Sequence, residues 1–463
     1  MNLSEVFIMK KTRLTILPLA TVLILSACTL VPNSQNQESK PIESNVSTEI
    51  KDSSDEPVSS KEESKEGINL KDPTDTSMVS NKVKSYIDAM REQEEQLDDP
   101  YKYDPIEGNG FVSVEDYLDE GEVEGQNRTV NGKIPNRSDK NMGVTLEFEV
   151  GEDAEAEEYK VLVSDNKDFK DAKEFVTDTN SINVQNLFAS TEYYWKVVTD
   201  NDESSVGKFT TDDYPRWITC RSLKGEEEGR GIYNVRDLGG YMTESGRRVK
   251  QGLVFRGGEI TTMTSMGHYN TITNIAKKAF REDMGMVGGV ELDLRGASDI
   301  SDGYKACAFA ENGDIEYKQY AIKSYEQTFT QTRSMVAPIF EILKEADSKP
   351  VYFHCFGGAD RTGTLGFLLN GLLGVSYTDL VIDFELTSYS SINNEHIRNH
   401  MSGHQHQYDR WPALINQLKT DTTGGYKYDA NALLMDNIEN FLLKACSVPQ
   451  ATIDTIRDIM LED

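Results

Sequence analysis

One short stretch of the chain combines a cysteine, two adjacent glycines and an arginine at a spacing that could carry out nucleophilic chemistry. Cys355 is followed by five residues and then by Arg361 and Thr362, with Gly357 and Gly358 inside the loop. Successive backbone N–H groups of such a loop, at a helix N terminus, can bind a phosphate dianion. The same positive potential would stabilise a thiolate, so Cys355 is a candidate nucleophile near neutral pH.

The other residues of the loop fit the same chemistry. Phe356 and Ala359 would contribute backbone N–H groups to the phosphate cradle, together with the two glycines. The planar guanidinium of Arg361 can hold two phosphate oxygens at once. Thr362 could donate a hydrogen bond to the sulfur and ease its departure from a phosphoenzyme. The alternative is a small buried cysteine followed by an ordinary turn.

Two apolar segments flank the loop and could position it. Residues 351–353 form a short apolar run typical of a buried strand, and residues 365–373 have helical periodicity. The pattern therefore predicts a strand, a phosphate-sized loop and a helix in succession.

The stretch 354–364 reads His-Cys-Phe-Gly-Gly-Ala-Asp-Arg-Thr-Gly-Thr and resembles the signature loop of Cys-dependent protein tyrosine phosphatases. More narrowly, it resembles the bacterial branch with the loop His-Cys-x-x-Gly-x-Asp-Arg-Thr-Gly. Four earlier pieces resemble further motifs of this branch in the same order: 234–240, 252–258, 290–295 and 315–320. The resemblance implies an α/β phosphatase domain over residues 225–463, with a mainly parallel central sheet and flanking helices. It also implies a cysteinyl-phosphate intermediate and no metal or other cofactor.

The resemblance leaves the substrate open. The branch includes secreted enzymes that act on phosphotyrosine, on other phosphoproteins and on phosphoinositides, so a phosphorylated protein, a lipid or a small phosphoester is the expected partner. Ala359 stands where the branch often carries lysine, which weakens the phosphoinositide interpretation.

The general acid also has two candidates. Asp360 corresponds to an aspartate that the myotubularin-like lipid phosphatases are thought to use, although it could merely brace the loop. Glu326 lies where the family often supplies an acid from a mobile loop.

Other charged residues of the motifs have competing explanations. Arg236 and Asp237 are candidate phosphate ligands. A structural role, in which their charges tie parts of the fold together, explains them about equally well. Asp293 and Arg295 are better explained as such a structural pair. His354 is expected to orient the loop by hydrogen bonding.

The beginning of the chain predicts export. Basic residues precede an apolar run, 14–25, that is too short to span a bilayer as a mature helix, and the run ends in Leu-Ser-Ala before Cys28. Residues 1–28 resemble a bacterial lipoprotein signal with Cys28 as the lipidated residue, which implies an extracytoplasmic protein anchored to the membrane. The alternative is an ordinary secretory signal with a chance cysteine.

Two further segments precede the phosphatase-like region. Residues 29–135 are mostly polar and predict a solvated tether, with one possible amphipathic helix around residues 79–90. Residues 136–212 alternate apolar and polar residues in short runs, which predicts a small all-β sandwich. Within it, 187–195 resembles the tyrosine-corner region of a fibronectin type III module, which implies a spacer or docking surface.

Charge and the remaining titratable residues narrow the function further. With 78 acidic and 48 basic residues the chain carries a formal charge of −30, which argues against general nucleic-acid binding. Cys220 and Cys307 could be bystanders or resolving thiols, and the sequence leaves redox regulation by these two residues or by Cys446 open. Four histidines lack a consistent face or a carboxylate partner and predict no metal site: His396, His400, His404 and His406.

Residues 403–428 are polar and could form part of a lid.

Two other classes of protein compete with a phosphatase. One is a surface binding protein whose phosphatase fold is inert, which the presence of Cys355, Arg361 and Thr362 disfavours. The other is a rhodanese-like sulfurtransferase, whose loop is usually one residue shorter before the basic residue.

Overall fold

The computed structural model describes residues 67–95, 143–220, 232–260, 273–296, 309, 313–390 and 406–463. All of them belong to one compact unit, 63–463. The predicted signal with Cys28, most of the predicted tether, Cys307 and three of the four histidines lie outside the described residues. Within the described part, no helix has the length and apolar character needed to cross a bilayer.

The first folded region is a β-sandwich of two antiparallel sheets. Apolar side chains alternate along its strands, as in β6, where Tyr193, Trp195 and Val197 are buried. The sheets have the strand orders β1-β2-β5 and β4-β3-β6-β7. The strands are β1 (Ile68–Lys71), β2 (Val144–Val150), β3 (Tyr159–Ser164), β4 (Lys173–Thr177), β5 (Ser181–Val184), β6 (Glu192–Val198) and β7 (Gly207–Thr210).

The sandwich contains the hydrogen bond of a tyrosine corner. The hydroxyl of Tyr193 accepts a 2.9 Å hydrogen bond from the backbone N–H of Phe188. In β-sandwiches this bond from a tyrosine to the backbone a few residues upstream fixes the turn between two strands. The segment singled out in the sequence therefore has the geometry that it predicted.

Residues 67–95 are folded: the helix predicted around residues 79–90 is confirmed, whereas the strand before it was predicted to be solvated tether. β1 pairs antiparallel with β2 and supplies an edge strand from outside the predicted sandwich boundaries. Helix α1 (Asn81–Glu95) buries Val83, Ile87 and Met90 in the core of the following region. A four-residue strand shows too little periodicity to be recognised among polar neighbours, because its structure depends on a partner strand distant in sequence.

The second folded region is built on a five-stranded sheet. Its strands are β8 (Arg236–Asp237), β9 (Val254–Gly257), β10 (Val290–Asp293), β11 (Glu316–Gln319) and β12 (Val351–His354). They lie in the order β11-β10-β12-β9-β8, with β8 antiparallel to β9 and the other pairs parallel. The sheet is therefore mainly parallel, as expected, and β12 is its central strand.

Helices cover this sheet on both faces. Val351 and Phe353 of β12 enter the larger core, whereas Tyr352 enters a smaller core with Phe255 and Phe280. This alternation is the mark of an α/β fold. The helices are α2 (Asn274–Lys278), α3 (Glu326–Gln331), α4 (Val336–Leu343), α5 (Asp360–Leu373), α6 (Tyr377–Glu385), α7 (His406–Thr420), α8 (Leu434–Lys444) and α9 (Gln450–Met460).

The predicted lid segment, 403–428, is mostly part of this core. Trp411, Leu414, Ile415 and Leu418 of α7 are buried in it. Their spacing is that of an apolar helix face, but the polar residues between them hide it in the sequence. From residue 406 to residue 420 the segment is therefore a packed helix.

Arg216 joins the sandwich directly to the phosphatase-like region. Its buried guanidinium donates to the carbonyl of Asn186 at 2.9 Å, to the carbonyl of Asp283 at 2.7 Å and to the carboxylate of Asp237 at 3.0 Å. The ring of Phe188 lies 4.1 Å from the same group. The sandwich thus packs on its neighbour through buried charge, which a freely hinged spacer would not require.

Candidate active site

A strand, a loop and a helix position the candidate nucleophile. β12 is fully buried and ends at His354, Cys355 follows, and α5 begins at Asp360. Ala359 occupies the N-cap position and provides no side-chain hydrogen bond to the first turn of α5. The N–H groups of this turn therefore keep their capacity to bind an anion.

Glycine is required where the loop lies on the neighbouring strand end. Gly358 has a φ of +68°, and a Cβ at this position would lie 2.3 Å from the backbone of Gly257. A Cβ on Gly257 would in turn lie 2.3 Å from the hydroxyl of Tyr352. Backbone thus packs on backbone, and a side chain at either glycine would displace the loop.

Buried donors fix the orientation of the loop carbonyls. The side-chain amide of Asn234 donates to the carbonyls of Gly357 and Gly358, at 3.1 and 3.0 Å. Arg256 donates to the carbonyl of Gly358 at 3.0 Å. Because these carbonyls point into the protein, the peptide N–H groups can turn toward the centre of the loop.

A buried cluster of charges holds these donors. Asp383 of α6 accepts hydrogen bonds from Arg236, at 2.7 Å, and from Arg256. Burial raises the pKa of the Asp383 carboxyl, but the two arginines bring it below its ordinary value. Burial, followed by the charge of Arg236, lowers the pKa of Arg256 to about 10. Asp383 is the counter-ion of two buried guanidinium groups, which would destabilise the fold if their charge were not compensated.

Arg236 and Asp237 are not positioned as phosphate ligands, which corrects one prediction. Both side chains are 0 % exposed. Besides Asp383, Arg236 donates to the side-chain oxygen of Asn234 at 2.6 Å. Asp237 accepts from Arg216 and from the backbone N–H groups of two glycines. Paired charges in one sequence motif cannot reveal whether their partners are protein or ligand, and here the partners are protein.

The surroundings of Cys355 favour its thiolate. The residue is 3 % exposed, and burial alone raises the pKa of a thiol. The nearby hydroxyl and N–H of Thr362, the N–H of Ala359 and the charge of Arg361 together bring the pKa of Cys355 below its ordinary value. The sulfur is therefore prepared for nucleophilic attack.

The other described cysteines have the opposite environment. Cys220 and Cys446 are buried and free. Burial raises the pKa of Cys446 to about 12 and raises that of Cys220 as well. Buried thiols of this kind are protonated and inert, which sets Cys355 apart.

His354 lies behind the loop between two hydrogen-bond partners. Its Nδ1 lies 3.0 Å from the carbonyl oxygen of Cys355, and its Nε2 lies 3.0 Å from a carboxylate oxygen of Glu291. A carbonyl and a carboxylate both accept hydrogen bonds, so this arrangement favours the doubly protonated ring. Burial lowers the pKa of His354, yet Asp293 and Glu291 raise it above its ordinary value overall.

Asp293 and Arg295 form the structural pair that the sequence predicted. Arg295 donates to Asp293 at 2.8 Å and to Glu259 at 2.5 Å, with all three residues buried. The backbone N–H of Glu259 donates to the carbonyl of Phe356 at 3.1 Å. The pair therefore ties the ends of β9 and β10 to the loop.

The two acid candidates have different positions. Asp360 is the first residue of α5 and accepts a hydrogen bond from the hydroxyl of Tyr325. Glu326 is half-buried as the first residue of α3. At the mouth of the loop Phe356 is 47 % exposed, which leaves an apolar ring beside the nucleophile.

Several supporting residues were not found by sequence reasoning. Asn234 and Arg256 lie in recognised motifs, but nothing local indicates that their side chains bind loop carbonyls. Glu291 also lies in a recognised motif, whereas Tyr325 and Asp383 lie in none. The partners of all three lie on elements that only the fold brings near. Among the described residues, no group of histidine, cysteine and acidic side chains could hold a metal ion.

Comparison with known proteins agrees with this geometry. Residues 228–278 and 286–462 match the model of the tyrosine phosphatase family, a match that covers about half of the chain and includes every element around the loop. A search of curated proteins finds no match to the chain. The part of the chain from residue 228 to residue 462 therefore belongs to the tyrosine phosphatase family, and the protein is a phosphatase, a hydrolase of phosphoric esters.

Proposed function

We propose that the protein is a lipid-anchored, extracytoplasmic phosphatase that hydrolyses phosphomonoesters, with phosphotyrosine or a related phosphoprotein as substrate. The observation that carries this proposal is the environment of Cys355. A thiol that is buried and nevertheless has a lowered pKa is surrounded by groups that bind negative charge. A phosphate dianion in the loop would meet the same groups.

The proposed reaction has two steps. The Cys355 thiolate attacks phosphorus while the loop amides and Arg361 stabilise the equatorial oxygens, and the bond to the leaving oxygen breaks as that oxygen takes a proton. Water then attacks the cysteinyl phosphate and releases inorganic phosphate and the thiolate. The hydroxyl of Thr362 is 0 % exposed and makes no hydrogen bond to another described residue. It is therefore available to donate to the sulfur as the thiolate departs.

Two features of the loop favour an aromatic substrate with one phosphate. The exposed ring of Phe356 offers an apolar surface next to the phosphate cradle, on which a phenolic ring could pack. Ala359, at the position of the lysine found in many relatives, is 2 % exposed and offers no charge to a second phosphate group. Both observations weigh against a phosphoinositide or inositol phosphate as the main substrate.

A binding protein on an inert phosphatase fold is the alternative from another class. Its loop would need to hold a phosphorylated partner without attacking it. A thiol with an ordinary or raised pKa would suit that role, whereas the lowered pKa of Cys355 suits covalent catalysis.

A panel assay on the full chain would test the activity. We expect turnover of phosphotyrosine peptides to exceed that of phosphoserine peptides, phosphoinositides and inositol phosphates. Cys355→Ser should abolish turnover and still bind phosphate, because the amides and Arg361 remain. Cys446→Ser is the matched control, since it alters a buried thiol whose pKa is raised, and it should keep turnover. Appreciable turnover by the Cys355→Ser protein would refute covalent catalysis.

The proposed location rests on the resemblance of residues 1–28 to a lipoprotein signal. Stable anchoring requires more than one acyl chain, as the lipoprotein modification provides. Cys28→Ala should move the protein from the membrane fraction to the soluble fraction without changing its specific activity. Retention of this variant in the membrane fraction would refute the lipid anchor.

A further inference from the structure

Tyr325 has a backbone conformation that aromatic residues rarely adopt. Its φ is +53° and its ψ is −133°, outside the regions open to a bulky L-residue without strain. It precedes α3 at the N-cap position, but its side chain makes no capping hydrogen bond there. Serine, threonine, aspartate or asparagine would cap the helix better, so capping does not explain a tyrosine here.

The contacts of Tyr325 explain how this conformation is held. Its backbone N–H donates to the hydroxyl of Thr364 at 2.9 Å, and that hydroxyl donates to the carbonyl of Asp360 at 2.9 Å. Its own hydroxyl donates to the carboxylate of Asp360. Its ring, which is 7 % exposed, lies 6.2 Å from the ring of Phe384. Both the backbone and the side chain of Tyr325 are thus directed at the first turn of α5.

The hydrogen-bond partner of a carboxyl group affects how readily that group can lose and regain a proton. A tyrosine hydroxyl can donate to a carboxylate and also to the carbonyl oxygen of a carboxylic acid, so it can hold Asp360 in either state while the acid proton points toward the substrate. Arginine can only donate and would favour the ionised form. Asp383 has different partners: two arginines bind its carboxylate. They favour its ionised form, as a permanent counter-ion requires.

We propose that Tyr325 is a positioning residue that holds the carboxyl group of Asp360 for proton transfer to the leaving oxygen of the substrate. This inference rests on the proposed function and selects Asp360 rather than Glu326 as the acid. In the first step the carboxyl proton passes to the oxygen that leaves phosphorus, and Asp360 becomes a carboxylate that accepts from Tyr325. In the second step that carboxylate takes a proton from the attacking water.

The leaving group provides the test, because a poor one depends on the proton and an activated one does not. We compare the release of phenol from phenyl phosphate with the release of nitrophenol from para-nitrophenyl phosphate in a single turnover of the full chain. This readout isolates the first step, because hydrolysis of the cysteinyl phosphate is common to both substrates. Since general acid catalysis contributes about 10²-fold or more, Asp360→Asn should slow phenol release by about that factor and nitrophenol release far less. Tyr325→Phe keeps the ring and should slow phenol release about tenfold, in the single-turnover rate constant rather than in substrate affinity, with less than about a twofold effect on nitrophenol release.

A double variant and a matched control complete the experiment. In the Asp360→Asn background, Tyr325→Phe should cause no further loss, because the group that it positions is gone. Tyr194→Phe removes a tyrosine–carboxylate hydrogen bond, to Glu192 at 2.5 Å, on the surface of the sandwich, and should change neither substrate. Equal slowing of both substrates by Tyr325→Phe, or a further loss in the Asp360→Asn background, would overturn the inference. Absence of Cys355-dependent turnover of para-nitrophenyl phosphate by the unaltered protein would overturn the proposed function itself, and this inference with it.

Discussion

Replacing Asp383 with asparagine tests whether the buried charges behind the loop hold the catalytic region together. Asp383 uses one carboxylate oxygen for Arg236 and the other for Arg256. An asparagine keeps one acceptor oxygen and turns its NH₂ group toward the other guanidinium. Two buried positive charges would then face each other without a counter-ion.

The expected cost follows from this geometry. Removal of one partner from a buried ion pair destabilises a protein by about 3–5 kcal/mol, because it leaves an uncompensated buried charge. Total stabilities are about 5–15 kcal/mol, so the variant would lose a large part of its margin. In urea this corresponds to a fall of about 1–2 M in the unfolding midpoint.

Equilibrium urea unfolding, followed by tryptophan fluorescence, would measure the effect. Trp411 is a suitable reporter because its ring lies 5.1 Å from that of Phe384, next to Asp383. The control is Glu192→Gln, which breaks a 3.1 Å pair with Lys208 whose side chains are 67 % and 45 % exposed. Solvent screens such a pair, so the midpoint of the control should not change measurably.

The pH dependence of the free energy of unfolding provides a second, independent test of the role of Asp383. The pKa of the Asp383 carboxyl is lower in the folded protein than its ordinary value. Its contribution is therefore present above the unfolded-state pKa, about 3.9, and is lost as the pH falls through the folded-state pKa. The stability difference between the unaltered protein and Asp383→Asn should be constant at neutral pH and shrink in acid below about pH 4. An unchanged midpoint at pH 7, or a difference that persists in acid, would refute the reasoning.

Three further predictions follow from the loop and from the domain boundaries. Gly358→Ala should abolish turnover, since a Cβ there lies 2.3 Å from backbone atoms, and loss of phosphate binding by calorimetry would confirm that the loop has moved. Glu291→Gln should shift the pH profile of Cys355 alkylation by iodoacetamide upward, because His354 loses the acceptor that keeps it charged; an unchanged profile would exclude this role. A chain truncated to begin at residue 136 should melt at a lower temperature than one that begins at residue 67, because it lacks β1 and α1, and equal melting temperatures would show that these elements are dispensable.

Local sequence was sufficient to predict the structure wherever that structure depends on residues close together in the chain. The apolar run before Cys355, the two glycines, and Arg361 and Thr362 after the loop are all consecutive, so their chemistry could be predicted together. Five strands of the sandwich were recognised for the same reason, because their apolar and polar residues alternate: β2, β3, β5, β6 and β7. Even the tyrosine corner is local, since the hydroxyl of Tyr193 bonds a backbone group only five residues upstream.

The sequence was least informative where a short or polar segment depends on a distant partner. β1 is a strand because β2 lies beside it, and α7 enters the core although polar residues separate its apolar positions. For this reason β1 was assigned to the predicted tether, and the helix over residues 406–420 was assigned to the predicted lid.

The candidate nucleophile and the candidate phosphate-binding loop could thus be identified from the sequence itself, because Cys355 and Arg361 lie in the same short loop. The roles of the other charged residues were decided only by the tertiary structure. Arg236 resembles a ligand in its motif, yet a carboxylate 147 positions later neutralises it, and Tyr325 reaches Asp360 across 35 positions. A side chain's partner is set by which elements pack together, and hydrophobic burial across the whole sheet decides that packing.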